Sequence, residues 1–375
     1  MTNYYRFIAS IVICFVSFCL YAHDFEVDGI YYSLTSSSTV SVTYRGSKFN
    51  SYSGHIEIPS TVEYENRKFE VTEIGTMAFD ECENLYSVTI PNSISKIGNS
   101  AFSYCYNLRS IDIPLSVTDI GKKAFYECRS LQEILIPEAI TGWQDYLFYG
   151  CTSLKSIRIP EGVTSIGDCC FFNCQSLKEI DLPNTIISMG QCTFYGCKNL
   201  KSIVIPNEIT NIPFNCLSDC VSLQTVVFGE RVKKFSGEQF WNCGELQTLV
   251  CLNPIPPTCE SRTFKNISRV KVTLYVPTQS IDLYKNAPEW EGFFNIIGIE
   301  SESNDVEWGD CEVVAQPYVE NGMIFVNNAD GQELYVYGID GTNKWHGQNY
   351  DGRGIFLNPG IYIVRIGAAA IKVEI

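Results

Sequence analysis

The middle of the chain repeats one pattern of apolar and polar positions every 23 residues. Ile111 and Ile113 point to one face of a short strand because strand side chains alternate. Pro114 ends that strand, since proline has no N–H to donate to a strand ladder. Val117 and Ile120 form a second apolar step, after which an irregular or short helical turn is expected. The apolar and turn-forming positions of this unit are Leu108, Ile111, Ile113, Pro114, Val117, Ile120, Gly121, Ala124 and Phe125.

Several residue types recur in register with this pattern, and cysteine is the most regular of them. A single unit of this length cannot bury its own apolar face, whereas stacked units share a core with their neighbours. The fixed period therefore predicts a solenoid. The cysteine column consists of Cys82, Cys105, Cys128, Cys151, Cys174, Cys197, Cys220 and Cys243.

The repeat resembles the BspA-like leucine-rich repeat family, whose pattern is similar to LxxIxIPxxVxxIGxxAFxxC. The resemblance covers roughly residues 24–300 and implies a leucine-rich-repeat solenoid of short parallel β-strands joined by irregular or short helical turns. The first repeat departs from it, because the step from Pro59 to Pro91 is 32 residues and nine residues are inserted around Glu63–Glu70. Caps are expected at both ends, where a solenoid would expose a strand edge and an open core. We assign residues 23–58 to an N-terminal cap, 59–252 to the repeats and 253–300 to a C-terminal cap.

The period stops after Ile299. Residues 301–317 are polar and acidic and indicate a linker. Residues 318–375 alternate apolar and polar positions between Asp-Gly pairs at 330, 340 and 351, which favours hairpins and a small β-sandwich. The segments LYVYGIDG, LNPGIYIVRI and IKV resemble the C-terminal sorting domain of type IX secretion cargo. The alternative is a β domain that closes the molecule without a sorting role. The predicted strands are Met323–Val326, Leu334–Ile339, Gly354–Leu357, Ile361–Ile366 and Ala370–Glu374.

The first 22 residues have the features of a secretory signal peptide. Arg6 is followed by an apolar stretch from Ile8 to Tyr21, and Ala22 precedes the expected cleavage site. The apolar stretch is shorter than a membrane span of about 20 residues, and no later segment qualifies as one. We therefore expect an exported protein with no transmembrane segment after removal of the signal, located at the cell surface, secreted or in the periplasm. Lipidation of Cys19 is the alternative.

The net charge and the lack of catalytic motifs limit the classes of function that we expect. The formal net charge of −15 disfavours nucleic acid and anionic membranes as partners. The three histidines, His23, His55 and His346, are far apart in the sequence and suggest no catalytic set. No phosphate-binding glycine motif and no spaced cluster of metal ligands occurs. We expect no enzyme activity, no cofactor and no bound metal.

The cysteines admit three interpretations: packing as thiols, disulfides, or metal binding. Of the 17 cysteines, Cys14 and Cys19 lie in the signal, and the odd number that remains cannot pair completely within the chain. Equivalent positions on adjacent coils have parallel side chains about 4.8 Å apart, whereas a disulfide needs converging Cβ atoms. The column therefore favours packed thiols. Outside the column, Cys251 and Cys259 are the best candidates for a disulfide. The other off-column cysteines are Cys169, Cys170, Cys192 and Cys216.

Function is expected on the strand face, where one residue per coil points outward between two buried ones. This column is charged in the middle coils and ends in three valines, a combination typical of a protein-binding surface. The resemblance implies adhesion to a host or matrix protein or to other cells. The alternatives are a structural spacer in a cell-surface assembly and a glycan-binding accessory protein. The predicted binding residues are Asp112, Leu135, Arg158, Asp181, Val204, Val227 and Val250.

Overall fold

The computed structural model describes residues 23–47, 49–260 and 262–300, together with the strand segments between residues 316 and 374. The predicted signal peptide (1–22), most of the predicted linker (301–315) and the Asp-Gly turns of the tail lie outside the described residues. The chain forms two compact units, one ending at Gly162 and the other starting at Val163. In both units, short parallel strands stack successive coils, which confirms the predicted leucine-rich-repeat solenoid.

The first unit begins with an antiparallel meander, in which β1 pairs with β2 and β2 with β3. Strand β3 then pairs in parallel with β6, which joins the meander to the coils. The nine-residue insertion of the first repeat forms a hairpin between β5 and β6. Glu65 and Asn66 make its turn in the left-handed region, with φ of 49° and 58°. These strands are β1 (Phe25–Val27), β2 (Ile30–Leu34), β3 (Thr39–Thr43), β4 (Gly54–Glu57), β5 (Thr61–Tyr64) and β6 (Arg67–Ile74).

Two rows of parallel pairing hold the coils of the first unit. One row joins β4 to β7 and continues as a parallel bridge between Asp112 and Leu135. The other row joins β6, β8 and β9 at the second apolar step of each repeat. The turns between the rows are irregular and contain no helix within the described part of this unit. The remaining strands are β7 (Leu85–Thr89), β8 (Lys96–Ile97), β9 (Asp119–Ile120) and β10 (Gly142–Trp143).

The core of the first unit is built on a stack of phenylalanine rings. Phe79, Phe102, Phe125 and Phe148 are all inaccessible to solvent, and adjacent ring centroids lie 5.0 to 5.6 Å apart with nearly parallel planes. Each ring thus covers the next one and removes a large apolar surface from water. Phenylalanine at the same position of successive repeats thus forms a column that is a continuous core for this unit.

The cysteine column lies beside the phenylalanine column and also forms hydrogen bonds. Most ladder thiols donate to the backbone carbonyl 26 residues earlier, so that Cys128 Sγ lies 3.1 Å from the Phe102 oxygen. Cys82, in the first coil, donates instead to the Phe49 oxygen at 3.5 Å. Several of these carbonyls also accept a backbone N–H within their own turn, as the Phe102 carbonyl does from Cys105 at 3.3 Å, so the thiol adds a further hydrogen bond to the acceptor. The interpretation as packed thiols is confirmed. The same bond is made by Cys105, Cys128, Cys151, Cys197, Cys220 and Cys243, at 3.1 to 3.3 Å.

The second unit also contains two rows of parallel strands and includes a compact cap. Tyr284 and Trp290 are completely buried there. The Trp290 indole N–H donates to the Pro257 carbonyl at 2.8 Å, and the Tyr284 hydroxyl donates to the Asn253 carbonyl at 2.7 Å. The cap includes a 3₁₀ helix (Thr278–Ser280) followed by α1 (Ile281–Asn286). The strands are β11 (Ser165–Ile166), β12 (Ser188–Met189), β13 (Ser202–Ile205), β14 (Asn211–Ile212), β15 (Thr225–Phe228), β16 (Lys234–Phe235), β17 (Thr248–Cys251), β18 (Thr258–Cys259), β19 (Thr273–Pro277) and β20 (Asn295–Glu300).

The predicted disulfide between Cys251 and Cys259 is wrong, because both residues are thiols. Cys251 Sγ lies 3.1 Å from the Tyr284 hydroxyl, whereas Cys259 Sγ is directed toward the Pro257 carbonyl at 3.6 Å. Packing of the cap against Tyr284 thus occupies the Cys251 sulfur.

The C-terminal strands pair into two sheets, one of which extends the strand row of the solenoid. Strand β27 pairs in parallel with β20, so the sheet continues through β27, β26, β23 and β24. This pairing covers the open edge of β20. The other sheet has the order β21-β22-β25. The five predicted strands are confirmed to within two residues at each end, and β21 and β24 were not predicted. The strands are β21 (Gln316–Glu320), β22 (Met323–Asn327), β23 (Leu334–Gly338), β24 (Asn343–Gly347), β25 (Ile355–Phe356), β26 (Ile361–Ile366) and β27 (Ala369–Glu374).

The likeness of this region to a sorting domain, its description as a β-sandwich and the domain boundaries given above stay predictions. The described part of the chain contains no helix with the length and hydropathy of a membrane span.

Candidate binding surface

The strand face of the first unit is open to solvent. Ile111 and Ile113 are buried, so the residue between them, Asp112, points outward and is exposed. Leu135 bridges to Asp112 on the next coil and is 62% exposed, which is unusual for a large apolar side chain. Arg158, one repeat further on, is exposed as well. The structure therefore confirms the outward orientation of these three predicted residues.

Backbone hydrogen bonds at the entry to each coil fix the register of this face. The Gln132 N–H donates to the Arg109 carbonyl at 3.2 Å, and the Lys155 N–H donates to the Gln132 carbonyl at 3.1 Å. The Lys155 ammonium also donates to the Gln132 side-chain oxygen at 3.0 Å. Tyr86, one coil before Arg109, is 51% exposed. The face thus combines a tyrosine, a leucine and charges of both signs on a rigid backbone.

Arg158 forms an ion pair with Glu138, which is not among the predicted binding residues. The hydrogen bond to Glu138 and its negative charge raise the pKa of Arg158, which stays cationic. Both side chains are exposed, so the pair adds little to stability. Its effect is to hold the guanidinium in a defined place on the surface. The position of Glu138 directly after the strand-ending Pro137 could have placed it near the strand face. The ion pair itself joins two different coils, and such pairing has no sequence signature.

The second unit presents a different strand face. Asp181 is exposed as predicted. Val204 is half-buried, whereas Val227 and Val250 are 4% and 1% exposed. The expectation of three solvent-exposed stacked valines is therefore wrong. The three residues are stacked as expected, because parallel pairing aligns Val204 with Val227 and Val227 with Val250.

The valines are buried because they belong to a second apolar cluster on the outer side of the sheet. Val227, Val250 and Ile299 form its centre, and Val204, Leu252 and Tyr275 pack against it. Ser202 and Thr225, on the same strands as Val204 and Val227, are buried too. Ile299 comes from β20, about 50 residues beyond Val250 in the sequence. A local alternation pattern could not show that this distant strand would join the cluster.

Truncation of Val250 tests whether these valines stabilise the fold. We expect Val250→Ala to lower the free energy of unfolding of the second unit by about 1–3 kcal/mol, because two buried methyl groups are lost and a cavity remains. Chemical denaturation followed by circular dichroism measures this change. The matched surface variant Asp181→Ala should change it by less than about 0.5 kcal/mol. Equal, small effects of the two variants would contradict the burial of Val250.

The described residues contain no group of three or more His, Cys, Asp or Glu side chains arranged to hold a metal ion. His55, one of the three histidines, lies on the strand face, where its Nδ1 is 2.7 Å from the Ser87 hydroxyl. It has no carboxylate partner that would orient it as a general base among its described hydrogen bonds.

The fold and the open strand face define a protein of the leucine-rich-repeat class. Residues 55–156 and 141–271 match the BspA type leucine rich repeat region, with six copies of the repeat. The chain belongs to this family. No curated protein matches it.

Among solved structures, the chain is similar to a leucine-rich repeat protein from Bacteroides ovatus, with 25% identity over 69% of this chain and 81% of that one and a TM-score of 0.44. It is also similar to a leucine rich cell surface protein from Faecalibacterium prausnitzii, with 20% identity over 75% and 95% of the two chains and a TM-score of 0.36. A leucine-rich repeat protein from T. pallidum shows 25% identity over 59% and 90%, with a TM-score of 0.38.

Proposed function

We propose that this protein binds a macromolecular ligand, foremost a protein of the host, of the extracellular matrix or of another cell, through the open strand face of its first unit. The observation that carries the proposal is the exposure of Leu135 between the charged residues Asp112 and Arg158. Protein-binding surfaces concentrate their binding energy in a few large side chains, with tyrosine and arginine enriched. Tyr86 and Arg158 supply these types beside an apolar centre at Leu135.

The face is suited to binding because it is rigid before the ligand arrives. Neighbouring coils are joined by backbone hydrogen bonds, and the outward residues stand on strands whose inward neighbours are fully packed. Binding therefore costs little free energy for ordering the backbone of this strand face. Asp181 is exposed on the second unit and is proposed as an additional contact. We do not propose Val227 and Val250 as direct contacts because they are buried, nor Val204, which is half-buried and packs against them.

Binding can be tested with the purified chain against immobilised collagen and laminin and on a glycan array. We expect Leu135→Ala combined with Arg158→Ala to weaken binding to the captured ligand at least tenfold, since hot-spot residues contribute about 2 kcal/mol each. The matched control is Leu115→Ala, which truncates a 79% exposed leucine of the same unit that lies off the strand column.

The outcomes separate the proposed functions. Unchanged affinity of the double variant, with circular dichroism showing an intact fold, would exclude this siting. Binding only on the glycan array would favour the glycan-binding accessory protein. No binding at micromolar concentration to any probe would favour the structural spacer.

We also propose that the protein is exported and acts at the cell surface or outside the cell. The signal-peptide pattern of residues 1–22 and the membership in a repeat family of surface proteins support this location. Protease treatment of intact cells, followed by immunoblotting, tests it: surface exposure predicts cleavage without cell lysis.

A further inference from the structure

Two cysteines of the second unit differ from the buried ladder thiols. Cys169 and Cys192 are half-buried and lie one repeat apart, so they occupy equivalent positions on adjacent coils. Both have a left-handed backbone, with φ of 52° and 53°, which places them at the same corner of the turn. The repeat uses other residue types at this position in the neighbouring coils, such as Tyr146 and Asn215.

The turns that carry these cysteines approach each other closely. The Cys169 N–H donates to the Gln191 carbonyl at 2.9 Å, and the Gln191 N–H donates to the Asp168 carboxylate at 2.9 Å. A Cβ atom at Gly190 would lie only 2.3 Å from the Asp168 nitrogen, so glycine is required for this approach. Adjacent coils lie about 4.8 Å apart, which is within the Cα separation of disulfides. This pair differs from the ladder thiols because its sulfurs lie within hydrogen-bonding reach of each other, so the two side chains converge as a disulfide requires.

The two sulfurs interact with each other, whereas ladder thiols such as Cys197 and Cys220 donate to carbonyls. The Cys169 thiol donates a hydrogen bond to the Cys192 sulfur, and this bond lowers the pKa of Cys192. Burial and the charge of Asp168 act in the opposite direction but are weaker. Burial raises the pKa of the ladder thiols Cys197 and Cys220 instead. Reactivity of a thiol toward disulfides increases with thiolate character and access, and Cys192 has a lowered pKa and is only half-buried.

We propose that Cys169 and Cys192 form a redox-sensitive dithiol, which a disulfide oxidant converts into a bridge between adjacent coils of the second unit. The Cys192 thiolate attacks one sulfur of the external disulfide, and the other sulfur leaves as a thiolate. Cys169 then loses its proton to water and attacks Cys192, which releases the second external thiolate. The two cysteines lose two electrons and two protons, and the oxidant is reduced to two thiols.

The oxidised pair joins two adjacent coils of the second unit covalently. Closing a loop of this length restricts the unfolded chain. We expect the midpoint of thermal unfolding of the second unit to rise by about 5–10 °C on oxidation. The proposed ligand-binding face of the first unit is not required for this reaction.

The test uses the purified full chain treated with oxidised glutathione at neutral pH, alkylated under denaturing conditions and digested for mass spectrometry. We expect a peptide cross-linked between Cys169 and Cys192, while the ladder cysteines are recovered alkylated. Cys169→Ser should trap glutathione on Cys192, and Cys192→Ser should abolish both products. The matched control Cys259→Ser replaces another half-buried cysteine and should leave the cross-link unchanged.

Three results would overturn the proposal. They are the absence of a cross-link in the folded wild-type chain, a cross-link to Cys216 or another cysteine in its place, and glutathione on Cys169 of the Cys192→Ser variant at the wild-type rate. The first two results are measured on the wild-type chain. They therefore decide the question even if one of the variants fails to fold.

Discussion

Phe102→Ala should destabilise the first unit by about 3–5 kcal/mol, the range for truncating a buried phenylalanine. Phe102 lies in the middle of the ring stack, with centroids 5.0 Å from Phe79 and 5.6 Å from Phe125. Both neighbours are held by their own coils, so the cavity cannot collapse without breaking the backbone hydrogen bonds between coils. Because a domain has a net stability of about 5–15 kcal/mol, this single change should remove a large part of it.

Urea denaturation followed by circular dichroism and by tyrosine fluorescence measures the loss. Leu115→Ala is the matched control, because this leucine of the same unit is 79% exposed and its truncation should change the free energy by less than about 0.5 kcal/mol. A loss at Phe102 no larger than at Leu115 would mean that the rings do not form a packed column.

The periodic part of the fold could be predicted from the sequence because each column has one structural role. Repetition in register fixes which residues are stacked, and alternation fixes which residues point inward. Hence the buried positions of the coils and the exposure of Asp112, Leu135 and Arg158 follow from the sequence alone. The hydrogen bond from each ladder thiol to a carbonyl did not follow, since it depends on the path of the turn one coil earlier.

The features that the sequence did not predict depend on contacts outside the period. Ile299 buries Val227 and Val250 from the end of the solenoid. Strand β27 adds to the edge of β20 through backbone groups, which carry no side-chain pattern. The candidate site was therefore predictable where the strand face stays open and not where a distant strand approaches it.

The first unit should unfold between about pH 10 and pH 11, because its buried ladder thiols lose their protons there. Burial raises the pKa of Cys82 to about 11 and raises those of Cys105, Cys128 and Cys151 further, from a usual value of 9.0. A group whose pKa is higher in the folded state than in the unfolded state binds its proton more tightly when folded. The contribution of these thiols is therefore complete below about pH 9 and is lost as the pH rises above it.

The size of the loss follows from the number of thiols. Each loses about 1.4 kcal/mol per pH unit above 9. Four thiols together should cost the first unit about 6 kcal/mol at pH 10 and about 11 kcal/mol at pH 11, a loss comparable to the whole stability of a domain. We expect cooperative loss of the β-sheet signal in circular dichroism between these pH values, in the presence of a reductant that keeps all cysteines as thiols.

Cys128→Ala separates the thiols from tyrosines and lysines that titrate in the same range. At neutral pH this variant should be less stable by about 1–3 kcal/mol, because the hydrogen bond from the thiol to the Phe102 carbonyl and the packing of the buried sulfur are both lost. Above pH 9 its free energy of unfolding should fall less steeply than that of the wild-type unit, by about 1.4 kcal/mol per pH unit. The two stability curves should therefore converge and cross near pH 10 to 11. Parallel curves would show that Cys128 does not resist deprotonation in the folded state.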